Sequence, residues 1–176
     1  GSHSLSISYE GSSDFETSTS AASIVTVAKS ASLTQLVSSV NFSVFGQSVT
    51  FTANVSATGA GAGLPTGTVI FLDDTTVLGT AVLSDGIATF TTADLEVTDS
   101  ISRHPITAVY AGSSDFVEGT SNVVFQGVNK APSMITASSS VNPAVFGQSV
   151  TFTVDLSVLA PGNAIPTGTV DFFNNG

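Results

Sequence analysis

The chain has 176 residues, enough for one domain and most of a second, and sets 13 acids against 3 Lys and Arg for a net charge of −10. So acidic a chain argues against nucleic acid and anionic membrane as partners, because both need a positive surface. Cysteine is absent, which excludes disulfide stapling and thiolate chemistry, and no run of roughly 18 apolar residues offers a membrane span.

β-branched residues are abundant, apolar positions alternate with period two, and turn residues interrupt the chain every 8–12 positions. This is an all-β sandwich pattern. Residues 1–29 offer two strands at most, with Leu5, Ile7 and Tyr9 alternating against Ser4, Ser6 and Ser8. Further strands are expected near 32–38, 47–56, 67–73, 76–83, 87–92, 104–111 and 119–127. Asp85-Gly86 separates two of them as a hairpin turn. Pro65 and Gly67 sit at a strand entry, where a missing donor is tolerated. About three more strands are expected in 129–176.

The chain repeats itself at an offset of 101 positions. Residues 30–75 match 131–176 at 22 of 46 positions, with "VNFSVFGQSVTF" (40–51) returning as "VNPAVFGQSVTF" (141–152). "HSLSISYEGSSDF" (3–15) lies in the same register on "HPITAVYAGSSDF" (104–116). One period in three places indicates tandem units: the last strands of one unit (1–29), a whole unit (30–128) and the first half of another (129–176). The only Met, Met134, lies deep in the chain, and the expectation is a section of a longer polypeptide.

The two copies also resolve which residues face inward. "GTVIFLDD" is apolar at four successive positions, but its counterpart reads "GTVDFFNN". Asp171 stands where Ile70 does, and an unpaired buried carboxylate is costly. Val69 and Phe71 therefore face the core and Ile70 faces solvent or a neighbour. By the same alternation Ile106, Ala108 and Tyr110 point inward, and Val49, Phe51, Val55, Ala88, Phe90, Val123 and Phe125 complete the expected core.

"VFGQSVTFTANVS", "PTGTVIFLDDTTVLGTAVLSDGIATFTT" and "HPITAVYAGSSDF" resemble, in order and spacing, the bacterial immunoglobulin-like repeats of giant surface proteins. The resemblance implies an immunoglobulin-like antiparallel β-sandwich of about 100 residues. It also implies an extracellular or cell-surface setting in tandem arrays that act as stalks of adhesins. One departure is "TTADLEVTDSISRHPI", longer than the turn the family usually carries before the His strand.

Little chemistry is visible. The two histidines, His3 and His104, occupy one position of the period, as a structural residue would, and no nucleophile–base pair or His/Cys metal spacing appears. No enzyme activity is expected. Asp14 and Asp115 fall in a "GSSDF" turn, where Asp caps its own backbone. Alternate loops near 39–46, 73–75 and 93–103 should gather at one end of the sandwich. They bring together Asp73, Asp74, Asp94, Glu96 and Asp99, with Arg103 and Lys130 as the nearby bases. Such a rim either stays solvated or takes calcium, which uses six to eight oxygen ligands. Lys29 and Lys130 recur in a short linker that favours a stiff rod over crosslinking. Trp is absent, so the aromatic platforms of sugar binding are weakly represented.

The expected role is therefore a non-catalytic spacer, stalk or filament shaft of a bacterial surface protein. Its partners would be neighbouring immunoglobulin-like units or copies of the same chain joined head to tail by strand complementation. The competing role is an adhesive module that recognises a host glycan, a protein or ice through loops or an outer sheet face. Neither partial unit should be stable alone.

Overall fold

The computed structural model describes residues 1–59, 63–99 and 101–174. The described residues form strands and no helix. In chain order the strands are β1 (Ser2–Leu5), β2 (Ser8–Tyr9), β3 (Ser18–Thr19), β4 (Ser23–Thr26), β5 (Ala31–Ser38), β6 (Ser43–Val44), β7 (Val49–Thr58) and β8 (Thr68–Asp73). They continue with β9 (Thr76–Val82), β10 (Ile87–Thr92), β11 (His104–Tyr110), β12 (Gly119–Thr120), β13 (Val124–Gln126), β14 (Val128–Asn129), β15 (Ser133–Ser139) and β16 (Phe152–Val158).

Residues 31–129 close into two facing antiparallel sheets. One has the order β10-β7-β5, and the other β12-β11-β8-β9 with β13 also on β11. β14 pairs parallel with β6 and ties the end of the unit to its first loop. The turn between β9 and β10 has Asp85 at φ 52° and Gly86 at φ 78°. Two successive positive φ values make the tight hairpin turn whose twist matches its strands, which is why Asp-Gly stands there.

The strands alternate as their sequence requires. Leu36, Val49, Phe51, Ala53, Val55, Val69, Phe71, Ala88, Ile106, Ala108 and Tyr110 all point between the sheets and are buried. Phe90 packs against this core from a half-buried position and stacks on Phe71 with ring centroids 5.7 Å apart. Burying each such ring contributes about 1.5–3 kcal/mol. Tyr110 keeps its hydroxyl satisfied by donating to the Thr66 carbonyl at 2.7 Å.

The last strand departs from expectation. The run 119–127 is not one strand but β12 and β13, and Val123 and Phe125 are exposed rather than buried. The ladder of β11 with β13 sets Val124 across from Ile106 and Gln126 across from His104. The break at 121–123 shifts the inward face by one residue, because side-chain direction alternates with period two. Gln126 is fully buried in place of an aromatic. It is affordable there because its carbonyl oxygen accepts from Ser38 Oγ at 2.7 Å and its amide donates to the Gly127 carbonyl at 3.0 Å.

The flanking segments reproduce parts of this frame at the 101-residue offset. His3 pairs with Val25 and Tyr9 with Ser18, as His104 pairs with Gln126 and Tyr110 with Gly119. Ser139 pairs with Phe152 as Ser38 pairs with Phe51. Local bonds follow. The amides of Thr50 and Thr151 each donate to a serine hydroxyl, Ser39 Oγ and Ser140 Oγ respectively, both at 2.9 Å. Residues 1–29 thus form an interrupted ribbon, β1–β4 and β2–β3. After β14, only β15 and β16 form a ladder among the described residues of 129–176, one strand fewer than expected.

Candidate functional site

The loops 39–46, 73–75 and 93–103 do converge, around the N-terminal end of β11. His104 opens that strand. Its Nδ1 lies 2.6 Å from Asp73 Oδ2 and its Nε2 lies 2.9 Å from the Glu96 carbonyl. Both ring nitrogens thus face an oxygen partner. The histidine thereby ties the end of β8 and the long 93–103 loop to β11. Next to it, the Arg103 guanidinium sits 4.5 Å from the centre of the Phe42 ring, a cation–π contact.

Asn41 fastens the opposite side of this pole. Its amide donates to the Phe125 carbonyl at 2.8 Å and its carbonyl accepts from the Gly127 amide at 2.9 Å. The 93–103 loop is held to β14 by Thr98, whose amide donates to the Val128 carbonyl and whose hydroxyl accepts from the Val128 amide, each at 2.9 Å. These bonds link residues 30 or more positions apart, so single-strand patterns carry no trace of them.

The five acids proposed for a cation are held in different ways. Asp73 is engaged by His104. Asp74 occupies the turn after β8 at φ 51°, its amide donating to the Pro105 carbonyl at 3.1 Å. Asp99 turns back on its own loop and accepts from the amides of Ser102 and Ile101. Those bonds, Ser102 first, hold its carboxyl below the ordinary carboxylate value. Asp94 and Glu96 line a cleft of about 630 Å³ with Gly46, Gln47, Pro161 and Asn163. Among the described residues no three His, Cys, Asp or Glu side chains come together as a metal site.

That cleft lies where residues 159–165 meet the pole. A Cβ on Gly46, which has φ 78°, would come within 2.9 Å of the Ala164 amide nitrogen and 3.0 Å of that of Asn163. A Cβ on Gly162 would come within 2.8 Å of Ala131 Cβ. Backbone meets backbone at this joint, and only glycine fits. At the other end of the central unit Lys29 Nζ donates to the Ser113 carbonyl at 2.6 Å, and the Ser30 amide to the Asp115 carbonyl at 2.8 Å. Lys29 is thus bound to a backbone carbonyl of the sandwich formed by residues 31–129. The close approach at Gly46 in "VFGQS" and the bonds that His104 makes are the features that sequence reasoning did not foresee. The recurrence of "VFGQS" and of His3 on His104 was the available signal.

Two facing sheets ordered β10-β7-β5 and β9-β8-β11-β13, closed by a parallel β6–β14 contact, define an immunoglobulin-like sandwich. The family model of the bacterial Ig-like domain, group 3, matches residues 36–129, more than half of the chain, and the chain belongs to that family. Domains of this family are usually non-catalytic and are typical of surface proteins. A comparison with curated proteins found no match. Among the described residues no helix is long and apolar enough to cross a membrane.

Proposed function

We propose that the chain is a section of a tandem array of immunoglobulin-like units, about 101 residues each, serving as an extracellular spacer or filament shaft of a bacterial surface protein. Residues 30–128 are one whole unit, 1–29 the closing strands of the unit before it, and 129–176 the opening strands of the unit after it. The observation that carries this reading is the return of strand pairings and side-chain bonds 101 positions away on both sides. Mechanical function follows from the parts. Ladders and the inward Phe and Val layers hold each unit. The glycine-to-backbone contacts at 46 and 162 restrict bending between units. A compact globule of this length has a radius of gyration of about 16 Å. Small-angle X-ray scattering of dilute chain is expected to give a clearly larger value and an elongated profile, and a value near 16 Å would overturn the array.

A second reading, adhesive recognition of a protein, is favoured by the outer face of the β9-β8-β11-β13 sheet. Val77, Val82 and Phe125 are exposed there, beside half-buried Ile70, Leu72 and Val109. Such a patch marks interaction surfaces. At the 101-residue offset Ile70 becomes Asp171 and Val109 becomes Ser8, so the face is particular to the central unit. Cells displaying the chain would adhere to extracellular-matrix protein and lose adhesion with Val82→Asp and Phe125→Asp together. Equal adhesion of both would remove this reading.

A further inference from the structure

We propose that the seam between the first and last segments of the central unit is what resists tension, through a row of side-chain staples that a pull along the array strains in shear. The inference rests on the reading of the chain as a section of an array, in which neighbours pull a unit at residues 30 and 129. Which bonds carry that pull follows from where the two ends of the unit run.

The two sheets meet along two seams. On one side β9 and β10 are joined by their own hairpin turn, where Ser84 and Ile87 bond backbone to backbone. On the other side β5 ends one sheet while β12 and β13 end the other. Segments 30–45 and 113–129 run side by side there, in the same direction. Ser30 bridges Phe116 and β6 pairs with β14, both in parallel sense. Between those two points no backbone ladder joins β5 to β12 or β13 among the described residues.

Short polar side chains fill the gap, in chain order. Ser32 Oγ donates to the Val117 carbonyl at 2.8 Å. The Asn122 side chain accepts from the Leu36 amide at 3.0 Å and donates to the Leu36 carbonyl at 3.1 Å. Ser38 Oγ donates to Gln126 Oε1 at 2.7 Å. Asn41 then donates to the Phe125 carbonyl and accepts from the Gly127 amide. Backbone bonds fasten both ends of the row. At one end the Ser30 amide donates to the Asp115 carbonyl at 2.8 Å and the Val117 amide to the Ser30 carbonyl at 2.9 Å. At the other the Phe45 amide donates to the Asn129 carbonyl at 2.8 Å. Gly119 keeps the approach open, since a Cβ there would lie 3.2 Å from Ser32 Oγ.

Direction decides how such a row fails. The chain enters the seam at residue 30, at one pole, and leaves it at 129, at the other. Pulling those points apart slides two parallel segments past each other, so the staples are stretched together. Pulling one segment away from the other at a single pole breaks the staples in turn. Resistance to a pull is set by the barrier to unfolding and not by equilibrium stability. Bonds aligned with the pull therefore count for more under force than in denaturant.

The test is single-molecule force spectroscopy on the whole chain, held by its two ends. Unfolding of 30–129 is expected as one event that releases up to about 330–360 Å of chain. The chain has no native cysteine, so one handle can be moved to Thr75→Cys, whose turn lies at the same pole as Asn129. The unit is then expected to yield at a clearly lower force. Ser38→Ala and Asn122→Ala together remove three staples. They are expected to raise the unfolding rate at fixed end-to-end force by about tenfold or more. Gly86→Ala strains the far hairpin, where φ is 78° and a Cβ would come 2.8 Å from the Val55 carbonyl oxygen. It is expected to lower the urea midpoint and leave the end-to-end unfolding force unchanged. The comparison of directions needs no variant that weakens the fold. Equal forces in the two directions overturn the proposal, and so does a force that tracks the urea midpoint across all variants. Scattering decides the array and pulling direction decides the seam, so either can fail without the other.

Discussion

Replacing Phe71 and Phe172 by alanine, one at a time, tests whether the flanking segment and the central unit differ in closure. The two residues occupy the same place in "TGTV-x-F", 101 positions apart. Phe71 is 0 % exposed and stacked on Phe90, whereas Phe172 is 62 % exposed and touches Phe152 only in a tilted pair, centroids 6.4 Å apart. Truncating a fully buried Phe costs about 3–5 kcal/mol through lost transfer energy and the cavity left behind. One kcal/mol moves Tm by about 4–8 °C in a domain of 60–100 residues. Phe71→Ala is thus expected to lower the main transition by about 12 °C or more. Phe172→Ala, at a largely exposed position, is expected to stay within about 4 °C. The assay is circular dichroism melting at low micromolar concentration. Equal shifts for the two variants would refute the reasoning, because they would mean that the chain buries both copies alike.

Asn41→Ala removes two bonds that hold the last strand, to the Phe125 carbonyl and from the Gly127 amide. A loss of about 1–3 kcal/mol in urea unfolding is expected; no change would show that the pole is held elsewhere. Gly46→Ala forces a β-carbon into positive φ and into the Asn163–Ala164 backbone. It is expected to destabilise by about 1–2 kcal/mol from conformation alone and to broaden the angular distribution of 129–176 relative to the unit in scattering. Gly147→Ala has the conformational cost without a neighbour to strike, and similar scattering from both variants would count against a glycine-set joint. The Asp99 carboxylate has a lowered pKa in the folded state. Its contribution is present above the ordinary carboxylate value and lost as pH falls through the lowered folded value. Amide signals of Ile101 and Ser102 are expected to move in that acidic range by NMR, and pH-independent signals would refute the cap. Adding a chelator is expected to leave Tm unchanged, since Asp73 is engaged by His104 and Asp99 by its own loop; a fall in Tm would point to a bound calcium at the acidic pole.

Much of the sandwich was legible because burial in a strand is a local property of alternate residues. Seven expected strands of the central unit correspond to β5, β7, β8, β9, β10, β11 and the β12–β13 pair, most within two residues. The comparison of Ile70 with Asp171 resolved the one ambiguous apolar run, since a carboxylate in the core would lack a partner. The same logic failed at Val123 and Phe125. Their inward placement assumed an unbroken strand, and Asn122 interrupts it by bonding sideways to the backbone of Leu36, its carbonyl accepting at 3.0 Å and its amide donating at 3.1 Å. That bond spans 86 positions and leaves no periodic mark.

By itself the amino-acid sequence determined the period of 101, the all-β class, the Asp85-Gly86 hairpin and most of the inward face, since each follows from spacing or from the conformational demands of single residues. Only the tertiary structure decided which residue of the last strand faces in, how His104 spends its two nitrogens and why Gly46 cannot carry a side chain. Those outcomes depend on atoms brought together from distant parts of the chain, where hydrogen bonding and close backbone approach, not local pattern, set the lowest free energy.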